Sequence, residues 1–522
     1  MSKTPILLLQ LKLKFNNTNL PENFFPHRFD PDCVKDQLNN FFPTNGGIMF
    51  FSKNIFFVCI IIFSLFYTNV SAKVSQDKVK QLGLTGTSLT PLGAERAGNI
   101  DGTIPEWDGG VIPTSEKNLI KLFPKSYQVP SSYKKGDFHT CPFKEEGKLL
   151  TITSDNYQKY QEKLTEGMIA LLKKYPDTFK INIYKTHRTA SMPEWVYKAS
   201  MENAMNAELV ENGNGIKGAR VTSPFPIPEN GLEVIWNHIT HFRGEAVEKY
   251  GAQAAPTQNG DYIIMKMIET MLVPYSNPSA TVNQLEKKNI LGYFLQMLTA
   301  PPQLTGTALL IHDYLNQKKQ PRNAWIYRTG ERRVRRAPNA AYDYPGTASD
   351  GLRTTDDWDF YNGAPDRYNW TLIGKAEKYV PYNCYKLHSN TIKYKDILKP
   401  GHINQELVRY ELHRVWIVEA NLKDGSQHVY KKRRFYIDED SWAAVAAEMY
   451  NHKGQLWRVI LAHPVNYYEM PLLWSTLDVY HDLIVGRYLA TNLDNEAEMF
   501  NFSVQLTKRN FSSGALRRTG IR

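Results

Sequence analysis

Residues 409–463 read RYELHRVWIVEANLKDGSQHVYKKRRFYIDEDSWAAVAAEMYNHKGQLWRVILAH, and this stretch decides the fold. Arg409 to Leu422, Gln427 to Asp438, Ser441 to Asn451 and Leu456 to His463 carry the β-branched and aromatic residues of strands. Short polar turns separate them: Lys423-Asp424-Gly425-Ser426, Asp438-Glu439-Asp440 and His452-Lys453-Gly454. Loops this short join only antiparallel neighbours, because a parallel pair needs a crossover of about a dozen residues or more. The alanines of Ser441 to Asn451 suit a short helix as well.

The same signals recur outward. Phe179 to Thr186, Tyr262 to Tyr275, Lys287 to Leu298, Gly306 to Tyr314, Asn323 to Arg328 and Tyr368 to Lys375 are predicted strands. A helix is predicted after Ser154, where Tyr157, Tyr160, Leu164, Met168, Leu171 and Leu172 recur at three- and four-residue steps and stop before Pro176. A second is predicted over Gly231 to Arg243, with Leu232, Ile235, Trp236 and Ile239 on one face. The fold class is therefore α+β, mainly antiparallel β, with a sheet wide enough to curl. Residues 73–153 form a Gly/Pro-punctuated N-terminal arm, and residues 154–522 carry the sheet with its helical insertions.

Lys53, a 13-residue apolar core from Ile55 to Tyr67, and Val70-Ser71-Ala72 read as a signal peptide over residues 49–72, cleaved after Ala72. The core is short for a membrane span. Such signals begin chains, so residues 1–48 are expected to be a mis-assigned upstream extension. Cleavage removes six Lys/Arg of 63 and four Asp/Glu of 52, leaving a net +9 in place of +11. Nucleic acid fits an exported chain poorly; an anionic surface is compatible with the charge.

Cys141 and Cys384 remain after cleavage. In an oxidising compartment they form a disulfide worth roughly 4–5 kcal/mol, or stay as two buried thiols; both readings stand. Arg332, Arg333, Arg335 and Arg336 cluster near Trp325 and Tyr327, with Arg333 and Arg335 on one strand face. Paired guanidinium hydrogen bonds suit a lipid headgroup or acidic partner, whereas the same run reads equally as a charged strand guarded against aggregation. Trp325, Tyr327, Trp370 and Trp416 are the candidate ligand-binding residues, although aromatic residues in strands also make ordinary core. Trp107 either anchors the arm or docks a partner.

His238 and His241 lack the His-Glu-x-x-His pattern and read as a partly exposed pair on a helix. Glu411 with His413 on one strand face, and Asp438, Glu439 and Asp440 in a turn, carry no specific acid–base signature. No catalytic residue, metal or cofactor is assigned, and the chain is expected not to be an enzyme.

Pro91 to Asn99 (PLGAERAGN), Asp101 to Trp107 (DGTIPEW), Pro224 to Glu233 (PFPIPENGLE) and Trp236-Asn237-His238 resemble a large family of Gram-negative exported proteins. That family is catalogued as a domain of unknown function and often labelled outer-membrane lipoprotein-sorting-like. Leu304 to Leu310, Trp325 to Tyr327, Arg332 to Arg336 and Tyr368 to Lys375 are similar in order to the core of Lol-type periplasmic lipoprotein carriers. The resemblance implies an unclosed half-barrel with helices packed in its mouth around an apolar cavity. It also implies a lipid, lipoprotein acyl chain or other hydrophobic ligand, and a periplasmic location with outer-membrane association. An inner-membrane transporter of the resistance-nodulation-division type, or an outer-membrane protein, is the implied partner. A non-enzymatic envelope scaffold or adaptor is the alternative function, since one fold hosts many.

Overall fold

The strand runs pair into one sheet of 15 strands in the computed structural model, which describes residues 74–521 apart from 338, 339 and 341. The expected signal peptide, its cleavage site and the upstream extension lie outside the described residues. In the arm, β1 (Val111–Ile112) and β2 (Tyr127–Gln128) form a small parallel ribbon. β3 (Leu150–Ile152) and β4 (Ile181–Ile183) belong to the main sheet, while β5 (Glu208–Val210) and β6 (Gly215–Lys217) make a separate hairpin.

Two meanders build the rest. The first is β7 (Ala246–Ala254), β8 (Met265–Leu272), β9 (Ile290–Ala300), β10 (Ala308–Tyr314), β11 (Asn323–Arg328) and β12 (Arg333–Arg336). The second is β13 (Tyr368–Pro381), β14 (Tyr410–Leu422), β15 (Lys432–Asp438), β16 (Ala444–Tyr450), β17 (Leu456–Tyr467), β18 (Leu472–Asp482) and β19 (Arg487–Leu493). They join where β19 pairs with β7. Within the main sheet every pairing is antiparallel except β14 with β4. The order from β12 through β7, β19 and β14 to β3 never returns to its start, so the sheet stays open. β13 packs back against β16 and β17, which curls it.

Ser441 to Asn451 resolves as strand β16. The run expected as one helix after Ser154 is a 3-10 turn, Tyr157–Lys163, followed by an α-helix, Glu166–Lys174, because Thr165 accepts the Met168 N–H at 3.1 Å and caps a new start. β7, β18, β19 and the helix Glu194–Asn206 were not expected from the sequence. β18 is buried at every position, so it shows no polar alternation to read. One core cluster packs around Trp236 and Trp442, and a second around Met168, Leu171 and Val459.

The arm is held on by buried chemistry. Trp107 is buried and meets Phe123 edge-on at 4.9 Å, which makes it an anchor. Gly93 has φ +86°, and a Cβ there would lie 1.7 Å from the Pro226 carbonyl, so the PLGAERAGN and PFPIPENG segments touch at a position only glycine fits. Beneath the arm, the β15–β16 turn buries Asp438, Glu439 and Asp440. Arg188 donates to Asp440 through Nε and Nη2 at 2.9 and 2.7 Å, and through Nη1 to the Arg96 carbonyl at 3.2 Å. Arg414 and Lys375 pair with Glu439 at 3.3 and 2.9 Å. Trp442 Nε1 donates to the Leu92 carbonyl at 2.9 Å.

Arg188→Met leaves the buried Asp440 carboxylate without its paired cation, and it is expected to cost about 3–5 kcal/mol, read as a lowered urea midpoint. A second prediction concerns His463 and His481, which burial pushes down to about 4 and about 3. Unfolded, such groups titrate near about 6.5 and bind more protons than the native state, so their contribution is lost as pH falls from there toward their folded values. Asp478, which burial pushes up to about 7, works with the opposite sign. The diagnostic quantity is therefore a difference: between pH 6.5 and 4, roughly, His481→Leu should gain on the wild type by about 1.4 kcal/mol per pH unit in urea unfolding.

Candidate functional site

The helix Gly231–Thr240 starts where Asn230 Oδ1 accepts the Glu233 N–H at 3.0 Å, a cap written into the Pro-Glu-Asn-Gly motif. It packs against β13 and β14. Its last turn, from Ile239 to His241, borders a cavity of about 90 Å³ together with Met271, Leu291, Phe294, Leu309 and Ile311. Met271, Phe294 and Ile311 are cross-strand partners on β8, β9 and β10, so one face of the first meander supplies the wall. Residues 346–362 close another side, with Trp358 meeting Phe294 at 5.2 Å.

Polar groups sit at this cavity's margin. Arg243, Asp313, Gln296 and Arg353 border it. Arg243 pairs with Asp359; burial works to raise that carboxyl, yet Arg243 holds it below the usual carboxylate range. Burial, reinforced by Arg243, pushes the His241 imidazole well down, which keeps it neutral beside the apolar wall. His238 and His241 are both buried, with ring centres 5.3 Å apart, and this corrects the expected partly exposed pair. The physical reason is that the helix is covered: His238 Nδ1 accepts the Ala444 N–H at 3.2 Å, and its Nε2 lies 2.7 Å from the Asp359 carbonyl.

The four sequence-derived ligand residues lie elsewhere. Trp325 and Tyr327 pack with Leu310, Phe511 and Leu516 beneath the C-terminal helix Ser513–Ile521. Ala324, one residue before Trp325 and so in the opposite phase of the strand, pairs with Ile311 and joins the cavity-side cluster, so Trp325 and Tyr327 project from the opposite face. Trp370 stacks on Phe435 at 5.9 Å and donates to the Pro365 carbonyl at 2.9 Å. Trp416 stacks on Trp442 at 5.9 Å, with Lys375 Nζ 4.7 Å from its ring centre. The cavity residues Met271, Phe294 and Ile311 carried only the alternation of strands and no motif of their own.

Arg332 occupies the β11–β12 turn with φ +51°, and Arg333, Arg335 and Arg336 lie exposed on β12, a four-residue strand at the sheet's edge. Glu331 pairs with Arg335 at 2.6 Å. Cys141 and Cys384 are free thiols. Burial pushes Cys384 up to about 12 and Cys141 up to about 11.

The sheet also unites two features that the sequence keeps apart. β14 pairs Val415 with Asp438 of β15, which carries His413 to the acidic turn. One donor atom each from His413, Asp438 and Asp440 lies within 4.8 Å of the others, the one such metal-type grouping found among the described residues. Glu411 sits against His413 Nε2 at 3.1 Å; burial opposes its ionisation, but the His413 hydrogen bond and the Arg409 charge hold it down at about 2. Among the described residues, no helix is long and apolar enough to cross a membrane.

A family model described as "Protein of unknown function (DUF1329)" matches residues 151–517. Uncharacterized protein PA3922 of Pseudomonas aeruginosa is 47% identical over 464 residues, covering 89% of this chain and 98% of its own length. Among solved structures, a DUF1329 family protein from Desulfovibrio piger is 14% identical and matches over 52% of this chain and 92% of its own, with a TM-score of 0.37. The LolA superfamily protein NE2245 from Nitrosomonas europaea is 11% identical and matches over 55% of this chain and 100% of its own, with a TM-score of 0.34. With most of its length matched by the family model and 47% identity to PA3922 over 89% of its length, the chain belongs to the DUF1329 family.

Proposed function

We propose that this protein binds an apolar ligand, a lipid or the acyl part of a lipoprotein, and carries it within a Gram-negative envelope without catalysis. The observation that carries this reading is the cavity between the last turn of the helix Gly231–Thr240 and the wall made by Met271, Phe294, Leu309 and Ile311. Its volume of about 90 Å³ falls below the roughly 150 Å³ that admits a benzene ring. A chain tip fits there. Burial of apolar area at about 25 cal/mol per Å² drives the binding. Arg243 and Arg353 at the margin suit a headgroup or ester. The envelope setting rests on the signal-like residues 49–72, and an inner-membrane transporter of the resistance-nodulation-division type or an outer-membrane protein is the natural recipient.

The short, arginine-rich edge strand β12 favours a second reading, an envelope scaffold that docks an acidic partner there. Delipidated protein titrated with a fluorescent fatty acyl probe separates the two. A carrier takes up the probe saturably, and Ile311→Trp, which places an indole in the cavity, weakens uptake by about tenfold or more, equivalent to about 1.4 kcal/mol. Absence of saturable uptake by the wild type sinks the carrier reading and leaves the scaffold.

A further inference from the structure

The geometry points to a divalent-cation site formed by His413, Asp438 and Asp440, which clamps β14 to the β15–β16 turn beneath the N-terminal arm. One donor atom from each side chain lies within 4.8 Å of the others. Donors sharing one ion at ligand distances near 2.1 Å stand roughly 3 to 4.5 Å apart, so the cluster needs little adjustment to close on a cation. All three residues are buried.

Asp438 supplies the independent sign. Its Oδ2 accepts from Ser441 Oγ at 2.6 Å and from the Tyr382 hydroxyl at 3.2 Å. Its Oδ1 is fully buried and receives no donor from the protein. A bare carboxylate oxygen in such a place is costly unless a cation or proton meets it.

The surroundings are arranged as metal sites require. Glu411 lies 3.1 Å from His413 Nε2, and the tautomer that donates there carries its lone pair on Nδ1. Asp440 already accepts from Arg188 at both oxygens, and each keeps a second lone pair. An imidazole with two carboxylates selects Zn²⁺ or Mn²⁺ over softer metals.

The test uses the purified full chain stripped by a chelator and titrated with zinc or manganese alone, read by calorimetry and by the melting temperature. Wild-type protein is expected to bind about one equivalent of one of these ions and to melt higher when loaded. Asp438→Asn is expected to bind about 100-fold more weakly while its metal-free form melts at or above the metal-free wild type, since it loses a buried acid without losing shape. If that variant fails to fold, His413→Gln read by manganese electron paramagnetic resonance decides instead, with loss of the bound signal expected. No stoichiometric uptake of either ion by the wild type, or uptake unchanged in the folded variant, overturns the site.

Discussion

Three consecutive acidic residues, Asp438, Glu439 and Asp440, are buried at one turn, and that electrostatic demand organises the molecule around it. A carboxylate removed from water must be met by cations or donors, and here they come from distant places: Arg188 between β4 and the helix Glu194–Asn206, Lys375 on β13 and Arg414 on β14. The same turn presents Trp442 to the Leu92 carbonyl of the arm. It also leads into Ala444, whose N–H holds His238 on the helix Gly231–Thr240, and His238 in turn reaches Asp359 in the loop that closes the cavity. The polar turn and the apolar cavity are thus the two ends of one chain of contacts.

How much of this could be read beforehand depended on whether a residue's partner was local. The strands around Lys423 to Ser426 and His452 to Gly454 were legible because turn chemistry sits between them. β18 was not, because a strand covered on both faces loses its alternation. The parity of β11 was visible, but only packing against Phe511 and Leu516 decides which face carries Trp325 and Tyr327. Likewise Glu411 with His413, and the acidic turn, were each visible as a pattern. Their adjacency depends on the pairing of Val415 with Asp438, which no spacing within either segment encodes.

An open sheet has ends, and this one treats them differently. β12 is short and arginine-bearing, which discourages further pairing by charge. Beside β14, off the path that ends at β3, the strand β13 is long, and its register shifts between Leu372 and Gly374, so that Ile373 stands out toward solvent. Such a bulge increases local twist, in keeping with the return of β13 toward β16 and β17.

The arm's attachment also bears on the order in which the protein can form. Leu92 meets Trp442 across 350 residues, and Arg188 meets Asp440 across 252. The Leu92 end of the arm therefore lacks this part of its docking surface until most of the second meander has been made and paired. Contacts of such separation slow folding, since chain entropy is lost before they reward it. The join of Leu92 to Trp442 is a clasp that fastens late, and any chain ending short of β16 leaves it undone.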